Sequence, residues 1–230
     1  MSRIAERGSA LIYVLLAVAL FAALSYTVSR MMRGGENIGR ENRALLANDV
    51  IGYARSLKTT IQSLQISNGC ADTQISFERS PFDGSDTDYT NTNAPADFSC
   101  HVFHPQGGGV GAAKPLSDIT DRDYIYTGTF GVSAIGSDSS AELAVIVRDL
   151  PLEMCEEINQ KLGLEAPQTD ISSSADFYTS TFDGSYSLTS GVGDRINTGD
   201  ASYNAQMAGC FYENSITTGE YFFYQVLIAR

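Results

Sequence analysis

The side chains best suited to bind an ion are three aspartates in one short segment, Asp83, Asp86 and Asp88. Alternating carboxylates on a tight loop suit a hard cation such as calcium, which takes oxygen ligands. The spacing differs from that of an EF-hand, and the bidentate glutamate that completes an EF-hand loop is absent. The sequence therefore leaves two interpretations, a calcium site and a solvated acidic turn. The same alternatives apply to a second acidic group, Asp118, Asp121 and Asp123.

The residue types that catalysis needs are poorly represented in the chain. Its two histidines, His101 and His104, stand at H-x-x-H spacing beside a cysteine, and a metal site needs more ligands than these. We interpret them as loop histidines. No Ser-His-Asp set, Walker loop or G-x-G-x-x-G fingerprint is recognisable in the sequence. We therefore expect a protein that is not an enzyme and has no cofactor other than the calcium considered above.

Charge is distributed unevenly along the chain. Residues 1–58 hold eight basic and four acidic side chains, whereas residues 59–230 hold seven basic and 23 acidic ones. The net charges of the two parts are therefore +4 and −16. An acidic body repels phosphate backbones, so the sequence predicts that this part does not bind nucleic acid.

A long apolar segment lies near the start of the sequence. Ser9 to Ser29 is a run of 21 residues without a charge, and as a helix it would span about 30 Å, enough to cross a bilayer. A short leader with Arg3 and Arg7 precedes it. One alternative is an ordinary signal peptide cleaved near Ala23 or Ser25, although the run is longer than the usual apolar region of about 7–15 residues.

A helical pattern of a different kind follows the apolar segment. Apolar residues recur at steps of three and four, which is one stripe of an amphipathic helix: Leu46, Val50, Ala54, Leu57, Ile61 and Leu64. The pattern ends at Ser67-Asn68-Gly69, a plausible C-cap. We expect one helix with an apolar half over 9–30 and an amphipathic half over 31–66, with Gly34 and Gly35 as weak points between them.

These features together resemble the N-terminal third of type IV pilins and pseudopilins. Arg7-Gly8-Ser9-Ala10-Leu11-Ile12 is similar to the class III prepilin junction. The resemblance implies a leader over 1–8, cleavage after Gly8 by prepilin peptidase, and N-methylation of Ser9. It also implies that the apolar helix anchors the protein in the bacterial inner membrane and later packs in a filament with other pilin subunits. Tyr13 stands where the family usually has glutamate, which fits a minor pilin or tip pseudopilin.

Residues 67–230 are expected to form an exported α+β domain in which the amphipathic helix packs on an antiparallel sheet. Strand-like runs at 124–130 and 141–147 predict one hairpin, and 209–213 with 220–228 predicts a second. The segment 151–162 predicts a helix that begins at Pro151 and ends before Gly163. Its buried side is expected to comprise Leu152, Cys155, Ile158 and Leu162. Irregular loops are expected at 67–123, and a surface loop at 171–193.

The four cysteines, Cys70, Cys100, Cys155 and Cys210, lie in the part of the chain expected to be exported. Four cysteines allow three pairings. Cys70 and Cys100 bracket the first loop region and Cys155 and Cys210 the second, so we favour these two pairs. The second pair also resembles type IVb pilins, in which a helix cysteine ties down the C-terminal region. Free buried thiols in a reducing compartment are the alternative.

Two classes of function are consistent with the sequence. The pilin resemblance favours a non-catalytic structural subunit that assembles into or primes a type IV pilus or a type II secretion pseudopilus. The alternative is a signal-anchored or secreted binding domain whose acidic loops bind cations or cell-surface ligands. An exported enzyme is disfavoured because no catalytic set is visible.

Overall fold

The computed structural model describes the chain in ranges separated by gaps: 7–79, 89–115, 117, 119–137, 140–167, 169–170, 180–188, 195–196, 204–213 and 219–230. Only the backbone is described for residues 7–11, 27–38, 169–170 and 195–196. The chain divides into two compact units, Met1–Arg43 and Ala44–Arg230.

The first helix, α1, extends over 61 residues, Arg7–Ser67. Its apolar stripe packs into the core as predicted, since every member is buried: Leu46, Val50, Ala54, Leu57, Ile61 and Leu64. The helix ends one residue beyond the predicted boundary. There Gly69 has a positive φ of 68°, and the N–H groups of Asn68 and Cys70 both donate to the carbonyl of Leu64. This is the predicted C-cap, in which a left-handed glycine lets the chain turn back and pair the last carbonyls.

Both predicted hairpins are present. β1 (Ile125–Val132) pairs antiparallel with β2 (Glu142–Leu150), and β5 (Ala208–Glu213) pairs antiparallel with β6 (Glu220–Ile228). β2 and β6 are also antiparallel neighbours, so four strands form one continuous antiparallel sheet. Two-residue strands, β3 (Thr169–Asp170) and β4 (Arg195–Ile196), add parallel pairs at its edges and complete the order β3-β5-β6-β2-β1-β4. The α+β class is confirmed.

The sheet carries apolar side chains on both faces. Along β2, Leu143, Val145 and Val147 belong to the cluster that includes the stripe of α1, whereas Ala144 and Ile146 belong to a second cluster. Successive side chains of a strand point to opposite faces, so both faces of the sheet are buried. The members of the second cluster are Phe130, Val132, Ile135, Ala144, Ile146, Phe211, Phe222, Tyr224 and Val226.

The second helix, α2 (Leu152–Leu162), ends where predicted and begins one residue after the predicted start, with Pro151 before its first turn and Gly163 at φ 75° after its last. Its predicted buried side was partly wrong. Leu152 is 40% exposed and Leu162 only partly buried, whereas Met154 and Asn159 are buried with Cys155 and Ile158. The buried face differs from the predicted one because Cys155 forms a disulfide with Cys210 of β5 and Asn159 forms hydrogen bonds with the same residue.

The segment 171–193 was predicted to be a surface loop, and its described part, 180–188, contradicts this at two buried residues, Phe182 and Gly184. Phe182 is 1% exposed, and its ring lies 6.1 Å from that of Phe77. The N–H of Phe182 donates to the carbonyl of Tyr126 on β1. This segment therefore packs over the core next to β1. Burial of the large aromatic ring of Phe182 is favourable enough to hold this polar loop in place.

Candidate functional site

The most distinctive surface is the apolar segment of α1 between residues 12 and 26. Its large apolar side chains are between 56 and 74% exposed, and they occupy successive positions, so they surround the helix. They are Ile12, Tyr13, Val14, Leu15, Leu16, Val18, Leu20, Phe21, Leu24 and Tyr26. Exposed apolar surface of this extent marks a site of contact with protein or membrane. Among the residues that the structure describes, no helix combines the length and the apolar composition needed to cross a membrane.

The predicted processing site lies at the start of this helix. Gly8 and Ser9 both have helical backbone within α1, and the surroundings of the Ser9 side chain fall outside the described part. The same holds for the two ends of the predicted span, residues 9–11 and 27–29. Cleavage after Gly8 stays a prediction.

The structure contains both favoured disulfides and no unpaired cysteine. Cys70 and Cys100 have Cα atoms 5.8 Å apart, and Cys155 and Cys210 have Cα atoms 5.4 Å apart. The first joins Cys70, three residues beyond the end of α1, to the 89–110 loop, and the second joins α2 to β5. Both therefore tie irregular or peripheral segments to the packed core.

The two histidines have different surroundings. His101 is buried, with Nε2 3.9 Å from Glu78 Oε2, whereas the ring of His104 stacks on Phe98 at a centroid distance of 4.2 Å. Burial, reinforced by the neighbouring His104 and opposed by Asp97, lowers the pKa of His101. No cluster of three or more His, Cys, Asp or Glu side chains able to hold a metal ion occurs among the described residues.

The predicted calcium ligands Asp83, Asp86 and Asp88 lie outside the described residues, as does Asp118. Calcium binding there stays a prediction. Of the second acidic group, Asp121 is exposed and Asp123 forms an ion pair with Lys114 at 2.9 Å. Asp123 is thus engaged by a cation of the protein itself.

Sequence reasoning missed a groove of about 250 Å³ between α1 and the loop that leads into β1. Its lining residues are Asp49, Val50, Tyr53, Ala113, Lys114, Pro115, Ile119 and Tyr124. The rings of Tyr53 and Tyr124 lie 4.7 Å apart, tilted by 41°. The hydroxyl of Tyr53 accepts a hydrogen bond from the N–H of Ala113 at 3.2 Å, which attaches the loop to the helix. The helical pattern indicated that Val50 is buried, but nothing in the sequence indicated that residues 113–115, Ile119 and Tyr124 pack here.

The charges beside the groove favour a positively charged ligand. Lys114 is neutralised by Asp123, whereas no basic side chain in the described part of the chain pairs with the exposed Asp49. Burial raises the pKa of Tyr124, and the neighbouring Tyr53 and Asp49 raise it further. Tyr124 therefore stays a neutral phenol at physiological pH. The described residues of the groove thus combine apolar side chains, two aromatic rings and the carboxylate of Asp49.

Comparison with known proteins supplies no family for these features. No protein-family description, no curated protein and no solved structure matches this chain.

Proposed function

We propose that this protein is a non-catalytic structural subunit, a minor pilin or pseudopilin, that assembles into or primes a type IV pilus or a type II secretion pseudopilus. The observation that carries the proposal is the apolar segment of α1 at residues 12–26, which is exposed on every side. It directly follows the Gly8-Ser9 junction, whose sequence resembles a prepilin cleavage site.

The energetics of this segment require a partner. Burying one large apolar side chain is worth about 1.5–3 kcal/mol, so leaving the whole segment in water is strongly unfavourable. A helix that is apolar on all sides is stable when lipid or other helices surround it. A pilin-like subunit meets both environments in turn, first the bacterial inner membrane and then the filament core formed with other subunits.

The unit formed by residues 44–230 supports the same proposal. The amphipathic half of α1 packs on an antiparallel sheet, and the Cys155–Cys210 disulfide holds the C-terminal hairpin. Disulfides form in oxidising compartments, which agrees with an exported domain. Its acidic surface would face outward and carry contacts to other proteins, not to nucleic acid.

The Gly8→Ala variant tests the processing step on which the proposal depends. We expect wild-type protein extracted from membranes to begin at Ser9, with a mass that includes one methyl group, and Gly8→Ala to keep the leader over 1–8. Gly39→Ala is the matched control, because it changes a glycine of the same helix where an added Cβ meets nothing within 4 Å. Normal shortening of Gly8→Ala would refute the prepilin proposal.

The same measurement separates the competing hypothesis, a signal-anchored or secreted binding domain. The 250 Å³ groove is the observation in its favour. An ordinary signal peptide would give a chain that begins near Tyr26, and a signal anchor would leave Met1 in place. A binding domain of this kind would also be absent from sheared filaments.

A further inference from the structure

The stretch of α1 that follows the apolar run carries only positive charge at first. The run from Ser9 to Ser29 is uncharged, and the next two charged residues along the chain are Arg30 and Arg33. The next acidic residue, Glu36, comes after both of them. Because α1 is one continuous helix from Arg7 to Ser67, the two arginines follow the apolar run at a fixed helical spacing.

The helical register places these arginines on the same side of α1 as Tyr26. Residues three and four positions apart are neighbours on a helix surface, and Tyr26, Arg30 and Arg33 are separated by four and three positions. The side chain of Tyr26 is 60% exposed. Tyrosine is enriched at the membrane–water interface, and long basic side chains near the end of a membrane helix extend to the lipid headgroups. This side of α1 therefore has the composition of an interfacial site.

Distances along the helix axis match the thickness of the lipid headgroup layer. Each helical residue adds about 1.5 Å, so Arg30 and Arg33 lie about 1.5 and 6 Å beyond Ser29. The headgroup layer is about 5–8 Å thick on each side of the hydrocarbon core. Both arginines therefore lie within this layer when the apolar run lies in the hydrocarbon. Arg40 and Arg43 lie outside it, at about 16 and 21 Å beyond Ser29.

The ligand that suits this side of the helix is a lipid with a net negative charge. A guanidinium group donates two parallel hydrogen bonds to phosphate oxygens. A zwitterionic lipid has a cation beside its phosphate, which offsets the attraction to arginine. Glu36 lies about 10 Å beyond Ser29, past the headgroup layer, so Arg30 and Arg33 are the only charged residues of α1 that fall within the layer.

We propose that Tyr26, Arg30 and Arg33 form a binding site for the headgroup of an anionic phospholipid such as phosphatidylglycerol. Lipid bound there fixes the depth at which α1 enters the bilayer. The placement of the apolar run in a membrane rests on the proposed function, whereas the preference for an anionic headgroup follows from the two arginines.

The experiment uses the full chain in micelles of a neutral detergent, with ¹³C-labelled tyrosine rings observed by NMR. Phosphatidylglycerol is the probe, and phosphatidylcholine is its zwitterionic counterpart. We expect phosphatidylglycerol to cause a saturable shift of the Tyr26 signal, with an affinity about thirtyfold higher than that of phosphatidylcholine, because each arginine near an anionic surface contributes about fivefold. Tyr13, near the opposite end of the apolar segment, is the internal reference and should not shift.

Two double variants remove the same number of charges from the same helix. Arg30→Gln combined with Arg33→Gln should weaken phosphatidylglycerol binding about thirtyfold. Arg40→Gln combined with Arg43→Gln changes two exposed residues and should leave the affinity nearly unchanged, because these charges lie about a Debye length or more from the headgroup layer. An unchanged signal of Tyr224, which is 0% exposed, verifies that each variant is folded.

Several outcomes would overturn the proposal. They are equal affinity for the two lipids, an unchanged affinity in the first double variant, and an equal loss of affinity in the second. Saturation of the Tyr26 shift by glycerol phosphate at the same concentrations would also overturn it, since the ligand would then be a soluble phosphate. None of these outcomes depends on whether Gly8→Ala is processed, because the titration follows the full chain.

Discussion

The side-chain amide of Asn159 pairs with the backbone of Cys210 in the manner of a neighbouring strand. Asn159 Nδ2 donates to the Cys210 carbonyl and Asn159 Oδ1 accepts from the Cys210 N–H, both at 2.8 Å. Asn159 is 0% exposed and lies one helical turn after Cys155, which forms the disulfide with the same Cys210. α2 and β5 are therefore joined at one residue by a covalent bond and two hydrogen bonds.

Removing this amide should destabilise the protein strongly. Asn159→Ala leaves the N–H and carbonyl of Cys210 buried without these partners, and each unsatisfied group costs about 1–3 kcal/mol. We expect a loss of about 2–4 kcal/mol in the free energy of unfolding, measured by denaturant titration of the full oxidised chain. Gln160→Ala, at the adjacent exposed position, should change it by less than about 0.5 kcal/mol. A similar value for the two variants would show that the paired hydrogen bonds contribute little.

The disulfides should also be detectable by covalent analysis. We expect peptide mapping under non-reducing conditions to find Cys70 linked to Cys100 and Cys155 linked to Cys210. Replacing both Cys155 and Cys210 by alanine should lower the free energy of unfolding by about 4 kcal/mol, because their sequence separation of 55 residues closes a long loop in the unfolded chain. The matched control replaces Cys70 and Cys100, whose separation of 30 residues predicts a slightly smaller loss. A peptide that links Cys70 to Cys155 would contradict the assignment.

Gly128 on β1 is a position where a side chain cannot fit without movement. A Cβ there would lie 2.4 Å from the carbonyl oxygen of Ser185 and 2.9 Å from the ring of Phe182. Gly128→Ala should therefore displace the 180–188 segment and cost about 1–3 kcal/mol of stability, as overpacking does in cores. Thermal and chemical unfolding measure this loss. Gly111→Ala, where an added Cβ meets nothing within 4 Å, should be tolerated, and equal tolerance of Gly128→Ala would contradict the close packing seen here.

Buried His101 should make stability depend on pH. Burial and the neighbouring His104 lower the pKa of His101 in the folded protein, so the unfolded chain binds this proton more readily. The neutral imidazole contributes to the stability of the fold, and this contribution is fully present above about pH 6.5, the usual histidine pKa. It is lost as the pH falls toward the lower pKa that His101 has in the folded protein. Replacing His101 by glutamine should reduce the loss of stability between pH 7.5 and 5, whereas His104→Gln, which removes the secondary cause and leaves the burial of His101 in place, should reduce it less. An identical pH profile for wild type and His101→Gln would refute this assignment.

Local patterns in the sequence were enough to locate most elements of the fold. The stripe from Leu46 to Leu64 defined the buried face of α1 because helical periodicity is a property of neighbouring residues. The strands of both hairpins and, to within one residue, the bounds of α2 were predicted for the same reason. The apolar segment of α1 is likewise visible in the sequence, and bracketing by loops was enough to favour the two disulfides.

Tertiary structure decided the features that depend on residues far apart in the chain. Phe182 and Asn159 are buried by contacts with Tyr126 and Cys210, whereas their local sequences predicted a surface loop and a helix face centred elsewhere. The order that places β6 between β5 and β2 and the groove beside Asp49 arise in the same way. Periodicity predicts which side of a helix or strand is apolar. Which other element packs against that side depends on burial and hydrogen bonding over the whole core.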